Sequence, residues 1–125
     1  MFKEFGVMLD CSRNAVMNVT AVKKFIDLLS IMGYNTLQLY TEDTYEVKNE
    51  PYFGYLRGRY TSQEIKEIDR YANSKGIELI PCIQTLAHLD CIFNCDDYYN
   101  IHDIDNILLV DEPRTYQLIE NIFAT

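Results

Sequence analysis

Three short runs of apolar residues, each ending in polar residues, set the pattern of the chain. They cover residues 7–11, 36–40 and 77–88. Such runs are too short for free-standing amphipathic helices, and the third follows the turn-forming pair Lys75-Gly76, so all three are predicted to be buried strands. The far end of the third strand is predicted to deliver three polar side chains, Gln84, Thr85 and His88.

Between the first two strands the apolar residues recur at helical spacing instead. Asn18 or Thr20 is suited to cap this helix at its start, and Gly33 is expected to end it. Because a helix joins two consecutive strands, the connection is predicted to be a β-α-β unit. The predicted buried stripe of the helix is Val22, Phe25, Ile26, Leu29 and Met32.

A second helix is predicted before the third strand. Residues 61–64 form a capping box, in which the Thr61 hydroxyl and the Glu64 carboxylate each accept a hydrogen bond from the other residue's backbone amide. Gly76 supplies the left-handed exit from the helix. The repeated order of helix, glycine and strand predicts an α/β fold with a parallel sheet, either a (β/α) barrel or a doubly wound sheet. The predicted buried stripe is Ile65, Ile68, Tyr71 and Ala72.

The remaining segments are less regular. Residues 43–60 lose the periodicity and collect aromatic side chains, which predicts a long strand-to-helix loop. Residues 90–105 show no regular period, and residues 107–110 are compatible with a short extended segment. A third helix is predicted to begin at residues 111–113, since proline is tolerated in the first helical turn. Its inward-facing residues are expected to be Tyr116, Ile119, Ile122 and Phe123.

Length and composition narrow the class of protein. The 125 residues predict one domain, residues 1–125, which is 48% hydrophobic and large enough to bury a core. No segment approaches the apolar length that spans a bilayer, and the N-terminus lacks a signal peptide, so a cytoplasmic protein is expected. The net charge of −8 argues against nucleic acids and anionic membranes as partners and leaves neutral ligands open.

The four cysteines are interpreted as reduced thiols, because Cys11 and Cys82 lie in predicted strands and no secretion signal is present. A zinc site is the alternative. Zinc sites usually combine two close-paired knuckles, whereas this chain has one loose pair, Cys91 and Cys95. We therefore expect buried or loop thiols and no bound metal. The zinc ligands in the alternative would come from Cys82, His88, Cys91, Cys95 and His102.

Polar clusters follow the ends of all three predicted strands. Arg13 follows the first strand, Glu42 and Asp43 follow the second, and His88 follows the third. In parallel α/β proteins the carboxyl ends of the strands form the chemical face, so these clusters predict one shared site.

Four ordered motifs carry a family resemblance. Residues 6–13, 40–43, 58–61 and 76–88 resemble, in order and spacing, the first half of the family 20 glycoside hydrolase catalytic barrel. Those enzymes are β-N-acetylhexosaminidases. The resemblance implies a partial (β/α)₈ TIM barrel with about three β-α units, taken from a hydrolase that cleaves terminal β-linked N-acetylhexosamine.

The resemblance also implies roles for individual residues. Arg13 matches the arginine that in the family clamps the hydroxyls of the terminal sugar, a task suited to the fixed fork of a guanidinium. Glu42 and Asp43 match an acidic pair, one member of which pairs with the histidine matched by His88. The family's usual Asp-Asp is Glu-Asp here, and its usual Pro-Gly before the histidine is Leu86-Ala87. These departures point to a divergent branch.

In the family the acetamido oxygen of the substrate attacks the anomeric carbon, so the enzyme supplies no nucleophile. An adjacent Asp-Glu pair after the fourth strand orients that group and acts as general acid and base, and this pair is expected beyond Thr125. Asp111-Glu112 is not a substitute, because acids at a helix start are expected as caps. The chain is therefore expected to hold substrate-binding or supporting residues, no catalytic pair and no cofactor.

Two other classes of function stay open beside the hydrolase fragment. One is a self-contained, non-catalytic α/β carbohydrate-binding module, and the other is a zinc-binding interaction domain. The tyrosines and arginines of residues 45–60 either form a sugar platform or seal the end of the barrel by packing. Three strands taken from a barrel leave two unpaired edges, so a homo-oligomer is expected.

Overall fold

The computed structural model describes residues 3–125, which fold into two compact units. The first unit comprises residues 3–41 and 61–83, and the second comprises residues 42–60 and 84–125. None of the helices within residues 3–125 has the length and apolar character needed to cross a bilayer.

The first unit alternates strands and helices in the predicted order. The strands form one parallel sheet, in which Gly6 lies opposite Thr36 and Thr36 lies opposite Glu78. The predicted α/β fold with a parallel sheet is confirmed. The third strand is shorter than predicted and ends before His88, whose φ of 62° is left-handed and unsuited to a strand. The elements are β1 (Gly6–Asp10), α1 (Val19–Ile31), β2 (Thr36–Thr41), α2 (Ser62–Ser74) and β3 (Glu78–Ile83).

Only β2 of the three strands is buried as predicted, since β1 and β3 contain no buried residue. Within the strands and helices of the first unit, the buried apolar side chains therefore come from the central strand and from one face of each helix. Met32 was predicted to lie in the stripe of α1, but it is exposed, because the helix ends at Ile31 and Met32 is its C-cap. The buried set is Leu37 and Leu39 from β2, Val22, Ile26 and Leu29 from α1, and Ile68 and Ala72 from α2.

The local signals at the helix ends are confirmed. The Asn18 side chain accepts a hydrogen bond from the Ala21 N–H at 2.9 Å. In the capping box of α2, Glu64 Oε2 accepts from the Thr61 N–H at 2.8 Å, and Thr61 Oγ1 accepts from the Glu64 N–H at 3.2 Å. The chain therefore marks the start of each helix with side chains that satisfy its first amides.

The second unit contains one α-helix, α3 (Pro113–Phe123), and 3₁₀ helices at Asp90–Asn94 and Asp96–Ile101. The 3₁₀ helices occupy the segment that has no regular hydrophobic period. Residues 107–110 are not a strand. Leu108 forms an isolated antiparallel bridge with His102, in which the Leu109 N–H donates to the Ile101 carbonyl at 2.8 Å and the Asp103 N–H donates to the Ile107 carbonyl at 3.0 Å. The pairing does not extend into a ladder.

The predicted inward face of α3 is correct only in part. Ile122 is buried as predicted and Ile119 is half-buried, but Tyr116 and Phe123 are exposed, and the other buried residues are Thr115 and Leu118. The Thr115 hydroxyl donates to the Leu109 carbonyl at 2.9 Å. Thr115 was missed because the prediction counted only apolar residues, while polar side chains of α3 have buried partners within the second unit.

The first unit is expected to self-associate. Within residues 3–125, β1 and β3 each pair along one edge only, and Leu28, Ile31 and Met32 are exposed around the end of α1. Open strand edges and contiguous apolar surface both favour association. Sedimentation velocity at micromolar concentration should show a dimer or a larger species, and Ile31→Glu should shift it toward the monomer. A compact monomer in both proteins would contradict this expectation.

Candidate functional site

The carboxyl ends of the three strands lie level at one edge of the sheet. Asp10 of β1 is opposite Tyr40 of β2, and Tyr40 is opposite Cys82 of β3. The segments that follow the strands therefore leave the sheet from the same edge, where parallel α/β proteins carry their chemistry.

Arg13 is exposed and lies in the turn directly after β1. Asp10 shapes this turn, because its Oδ1 accepts hydrogen bonds from the Ser12 hydroxyl at 2.6 Å and from the Ser12 N–H at 2.8 Å. The same two bonds hold the pKa of Asp10 below its ordinary value. The guanidinium is thus carried at the sheet edge by an ordered turn.

The two acidic residues after β2 are buried. Glu42 is 2% exposed and Asp43 is 1% exposed. A carboxylate removed from water needs charged or hydrogen-bonding neighbours, since desolvation otherwise favours its neutral form. This burial distinguishes the pair from ordinary surface acids.

Arg57 is a charged neighbour of Asp43. Its Nη2 lies 3.4 Å from Asp43 Oδ1, and its Nη1 donates a hydrogen bond to Cys91 Sγ at 2.8 Å. Burial raises the pKa of the Cys91 thiol, and the negative charge of Asp43 adds to this effect. Cys91 therefore acts as a neutral thiol that accepts from Arg57, and Arg57 joins the acidic pair to the first 3₁₀ helix.

The loop after the acidic pair has a fixed backbone. The Tyr60 N–H donates to the Thr44 carbonyl and the Glu46 N–H donates to the Tyr60 carbonyl, both at 2.9 Å. Gly54, with φ of 64°, packs so closely that a Cβ would lie 1.9 Å from the carbonyl oxygen of Asp43. The backbone of the acidic pair and the middle of the loop are therefore in direct contact.

Gly54→Ala is expected to lower the free energy of unfolding of the second unit by about 3 kcal/mol. A left-handed residue with a Cβ costs about 1–2 kcal/mol, and the overlap with the Asp43 carbonyl adds the rest. Urea denaturation followed by circular dichroism measures the change.

Two glycines provide matched controls for this substitution. Gly33 has φ of 82° and nothing within 4 Å of a Cβ, so Gly33→Ala should cost about 1–2 kcal/mol for the backbone alone. Gly58 has open space around its Cβ position, and Gly58→Ala should stay within about 0.5 kcal/mol. A cost at Gly54 no greater than the cost at Gly33 would contradict the steric argument.

Glu50 is the centre of a buried polar cluster in the same loop. The side chain is 3% exposed, and it accepts from both terminal nitrogens of Arg114 at 2.8 and 2.6 Å. Asn121 Nδ2 donates to it at 2.8 Å and the Tyr98 hydroxyl donates at 3.1 Å. Burial alone would raise the pKa of Glu50, but the bonds from Arg114 and Asn121 outweigh it and hold the pKa below its usual range.

The family model for the glycosyl hydrolase family 20 catalytic domain matches residues 2–124 of this chain. The chain belongs to glycosyl hydrolase family 20. The beta-hexosaminidase of Vibrio furnissii is 29% identical over 160 aligned positions, covering 95% of this chain and 25% of that protein. Beta-hexosaminidase subunit A1 of Dictyostelium discoideum is 25% identical over 136 positions, with the same two coverages.

Solved structures of family 20 proteins share the fold of this chain. The chitobiase of Flavobacterium johnsoniae superposes with a TM-score of 0.83 at 28% identity, covering 98% of this chain and 21% of the chitobiase chain. The β-N-acetylhexosaminidase of Streptomyces coelicolor A3(2) gives 0.79 at 26% identity, with coverages of 94% and 28%. The chain spans about a quarter of the length of these relatives, which agrees with a partial TIM barrel.

His88 is exposed and has a left-handed backbone, with φ of 62°, shortly before the 3₁₀ helix Asp90–Asn94. Arg57 is a charged neighbour of Asp43, and the sequence marked it only as one of several arginines among the aromatic residues of the loop. Pairing between His88 and an acid remains a prediction from the resemblance.

The residues considered as zinc ligands do not form a cluster. Across residues 3–125 no group of three or more histidine, cysteine, aspartate or glutamate side chains is placed to hold a metal ion. No disulfide joins the cysteines of this part of the chain. Of the five residues considered, Cys91 is instead held by Arg57, and His102 Nε2 lies 2.9 Å from the Asp105 carbonyl oxygen.

Proposed function

We propose that this family 20 chain forms the first three β-α units of a β-N-acetylhexosaminidase, which removes terminal β-linked N-acetylhexosamine by substrate-assisted hydrolysis. The observation that carries the proposal is the buried acidic pair directly after β2, beside Arg57. Buried, partnered carboxylates at the carboxyl end of a barrel strand are the kind of group that positions a substrate.

Each predicted site residue has a chemical task in this reaction. Arg13 donates hydrogen bonds from its exposed guanidinium to sugar hydroxyls. The acidic pair accepts hydrogen bonds from polar groups of the sugar or of its supporting side chains, and Arg57 balances its charge. The acetamido oxygen of the substrate is the nucleophile. The acid-base pair of the reaction is expected in the part of the barrel that follows the third β-α unit.

The test is a hydrolysis assay on the protein that is encoded by the whole reading frame containing this chain. That product should release 4-nitrophenol from 4-nitrophenyl N-acetyl-β-glucosaminide. Arg13→Ala should lower kcat/KM by about 10- to 100-fold, because charged hydrogen bonds to the sugar are lost. Arg70→Ala, at an exposed arginine of α2, is the matched control and should leave kcat/KM unchanged.

Two results would count against parts of this proposal, the first against hydrolysis and the second against the role of Arg13. The first is a reading frame with no strand followed by an Asp-Glu pair, whose product binds N-acetylglucosamine but does not hydrolyse the substrate. That result would favour the carbohydrate-binding module. The other is equal activity of the wild type, Arg13→Ala and Arg70→Ala proteins, which would remove Arg13 from the sugar site.

A further inference from the structure

The loop between β2 and α2 presents two tyrosine rings to solvent side by side. Tyr52 is 42% exposed and Tyr55 is 57% exposed. Their ring centroids are 5.7 Å apart and the planes meet at 77°, so the pair forms a corner with one ring face and one ring edge. We call residues 51–57 the tyrosine turn.

The backbone beneath these rings is held by several hydrogen bonds. Arg59 Nη1 donates to the Pro51 carbonyl at 3.2 Å and to the Phe53 carbonyl at 2.6 Å. The Tyr55 N–H donates to the Tyr52 carbonyl at 3.0 Å. Phe53, which lies between the two tyrosines in the sequence, is fully buried. The exposure of the two tyrosines is therefore a property of an ordered surface and carries little ordering cost for a ligand.

The tyrosine turn also holds a fixed position relative to the acidic pair. Gly54, between the two tyrosines, packs against the carbonyl oxygen of Asp43 without room for a Cβ. Leu56, next to Tyr55, is 90% exposed with φ of 62°. A left-handed backbone at a non-glycine residue and exposed apolar side chains both cost folding free energy. Surfaces that combine them commonly serve in binding.

The chemistry of the turn suits a neutral sugar ring. A β-linked pyranose presents flat C–H faces that pack on an aromatic face, while its hydroxyls reach the polar tips of tyrosines. The net charge of −8 disfavours anionic ligands such as phosphates or acidic lipids. The two arginines of this region are engaged elsewhere, Arg57 with Asp43 and Cys91 and Arg59 with backbone carbonyls, so the exposed corner is formed by the two tyrosine rings. A pyranose with equatorial substituents matches these rings better than an anionic ligand does.

We propose that the tyrosine turn binds a second sugar unit of the substrate, the pyranose on the reducing side of the terminal N-acetylhexosamine. The inference rests on the proposed function for the identity of the terminal sugar. In this proposal the acidic pair lies beside the terminal N-acetylhexosamine. The tyrosine turn, which packs against the acidic pair, contacts the pyranose on the reducing side. Tyr52 and Tyr55 are then specificity residues that favour oligosaccharides over monosaccharides.

The experiment measures binding of two neutral sugars to the 125-residue chain by saturation-transfer NMR. The probes are N-acetylglucosamine and the β-1,4-linked trimer of N-acetylglucosamine. The wild type should bind the trimer more tightly than the monomer. Tyr52→Ala and Tyr55→Ala should each weaken trimer binding by about 5- to 10-fold, in the range measured for one lost aromatic contact, and change monomer binding less than twofold.

Three control variants make the readout specific. Tyr52→Phe and Tyr55→Phe retain the rings and should keep most of the preference for the trimer. Tyr99→Ala removes another exposed tyrosine, in the 3₁₀ helix Asp96–Ile101, and should change neither affinity. Circular dichroism should show unchanged melting, because all three tyrosines are at the surface.

Several outcomes would overturn the assignment. These are equal binding of trimer and monomer by the wild type, equal loss of both in the alanine variants, or a change in sedimentation of those variants with no change in trimer binding. The last result would identify the turn as a protein contact. Trimer preference that depends on Tyr52 and Tyr55, together with a failed hydrolysis assay, would retain the sugar site and reject only the hydrolase.

Discussion

The 125-residue chain alone is expected to release no measurable product from 4-nitrophenyl N-acetyl-β-glucosaminide. General acid catalysis and orientation of the acetamido group each contribute large factors, together on the order of 10⁴ or more. The residues proposed for both tasks follow a fourth strand, and the sheet described within residues 3–125 has three. The assay compares the purified chain with buffer over several hours.

Glu112→Gln is the informative companion variant. Glu112 is the N-cap of α3, where its carboxylate accepts from the Arg114 N–H at 3.4 Å, so it is assigned to the helix start and not to catalysis. If the wild-type chain turned over substrate and this variant did not, the assignment of Asp111-Glu112 as helix-capping residues would be wrong. Turnover that disappeared in Asp43→Asn would instead place catalysis at the acidic pair.

Glu50→Ala is expected to lower the free energy of unfolding of the second unit by about 4 kcal/mol. Removing one partner of a buried charge pair typically costs about 3–5 kcal/mol, because the remaining charge loses its compensation. Arg114, Asn121 and Tyr98 would all lose an acceptor. Glu46→Ala, at an exposed acid of the same loop, should stay within about 0.5 kcal/mol.

The same carboxylate makes the stability depend on pH in a defined direction. The pKa of Glu50 is lower in the folded protein than in the unfolded chain, where it is about 4.3. Its contribution is therefore complete above that value and is lost as the pH falls through the folded-state pKa. Thermal melts between neutral and acidic pH should show a smaller acid-induced loss in Glu50→Gln than in the wild type. Identical pH profiles would contradict this linkage.

The parts of the fold that follow from the sequence are those whose signals are local. The capping box of residues 61–64, the left-handed Gly33 and Gly76, and the apolar spacing of α1 all act within a few residues. The strands between them are parallel because helices connect them. Local geometry and packing agree in the first unit, so reasoning from periodicity succeeds there.

The second unit depends on contacts that periodicity does not contain. Arg114 and Asn121 are polar, so the hydrophobic pattern of α3 assigns them to solvent, yet both bond to Glu50. Arg57 reaches Asp43 and Cys91, two segments that the chain brings together only in the folded state. The prediction of which residues surround the acidic pair therefore required the structure.

The bonds to Glu50 also set an order of events during synthesis. Its partners Tyr98, Arg114 and Asn121 follow it by 48, 64 and 71 residues. At translation rates of 5–20 residues per second, Asn121 is made roughly 4–14 s after Glu50. During that interval the carboxylate stays hydrated, and the loop that carries the acidic pair gains its final anchor only after residues 61–83 have been made. Residues 42–60 of a nascent chain are thus expected to stay accessible to proteases and chaperones until α3 is synthesised.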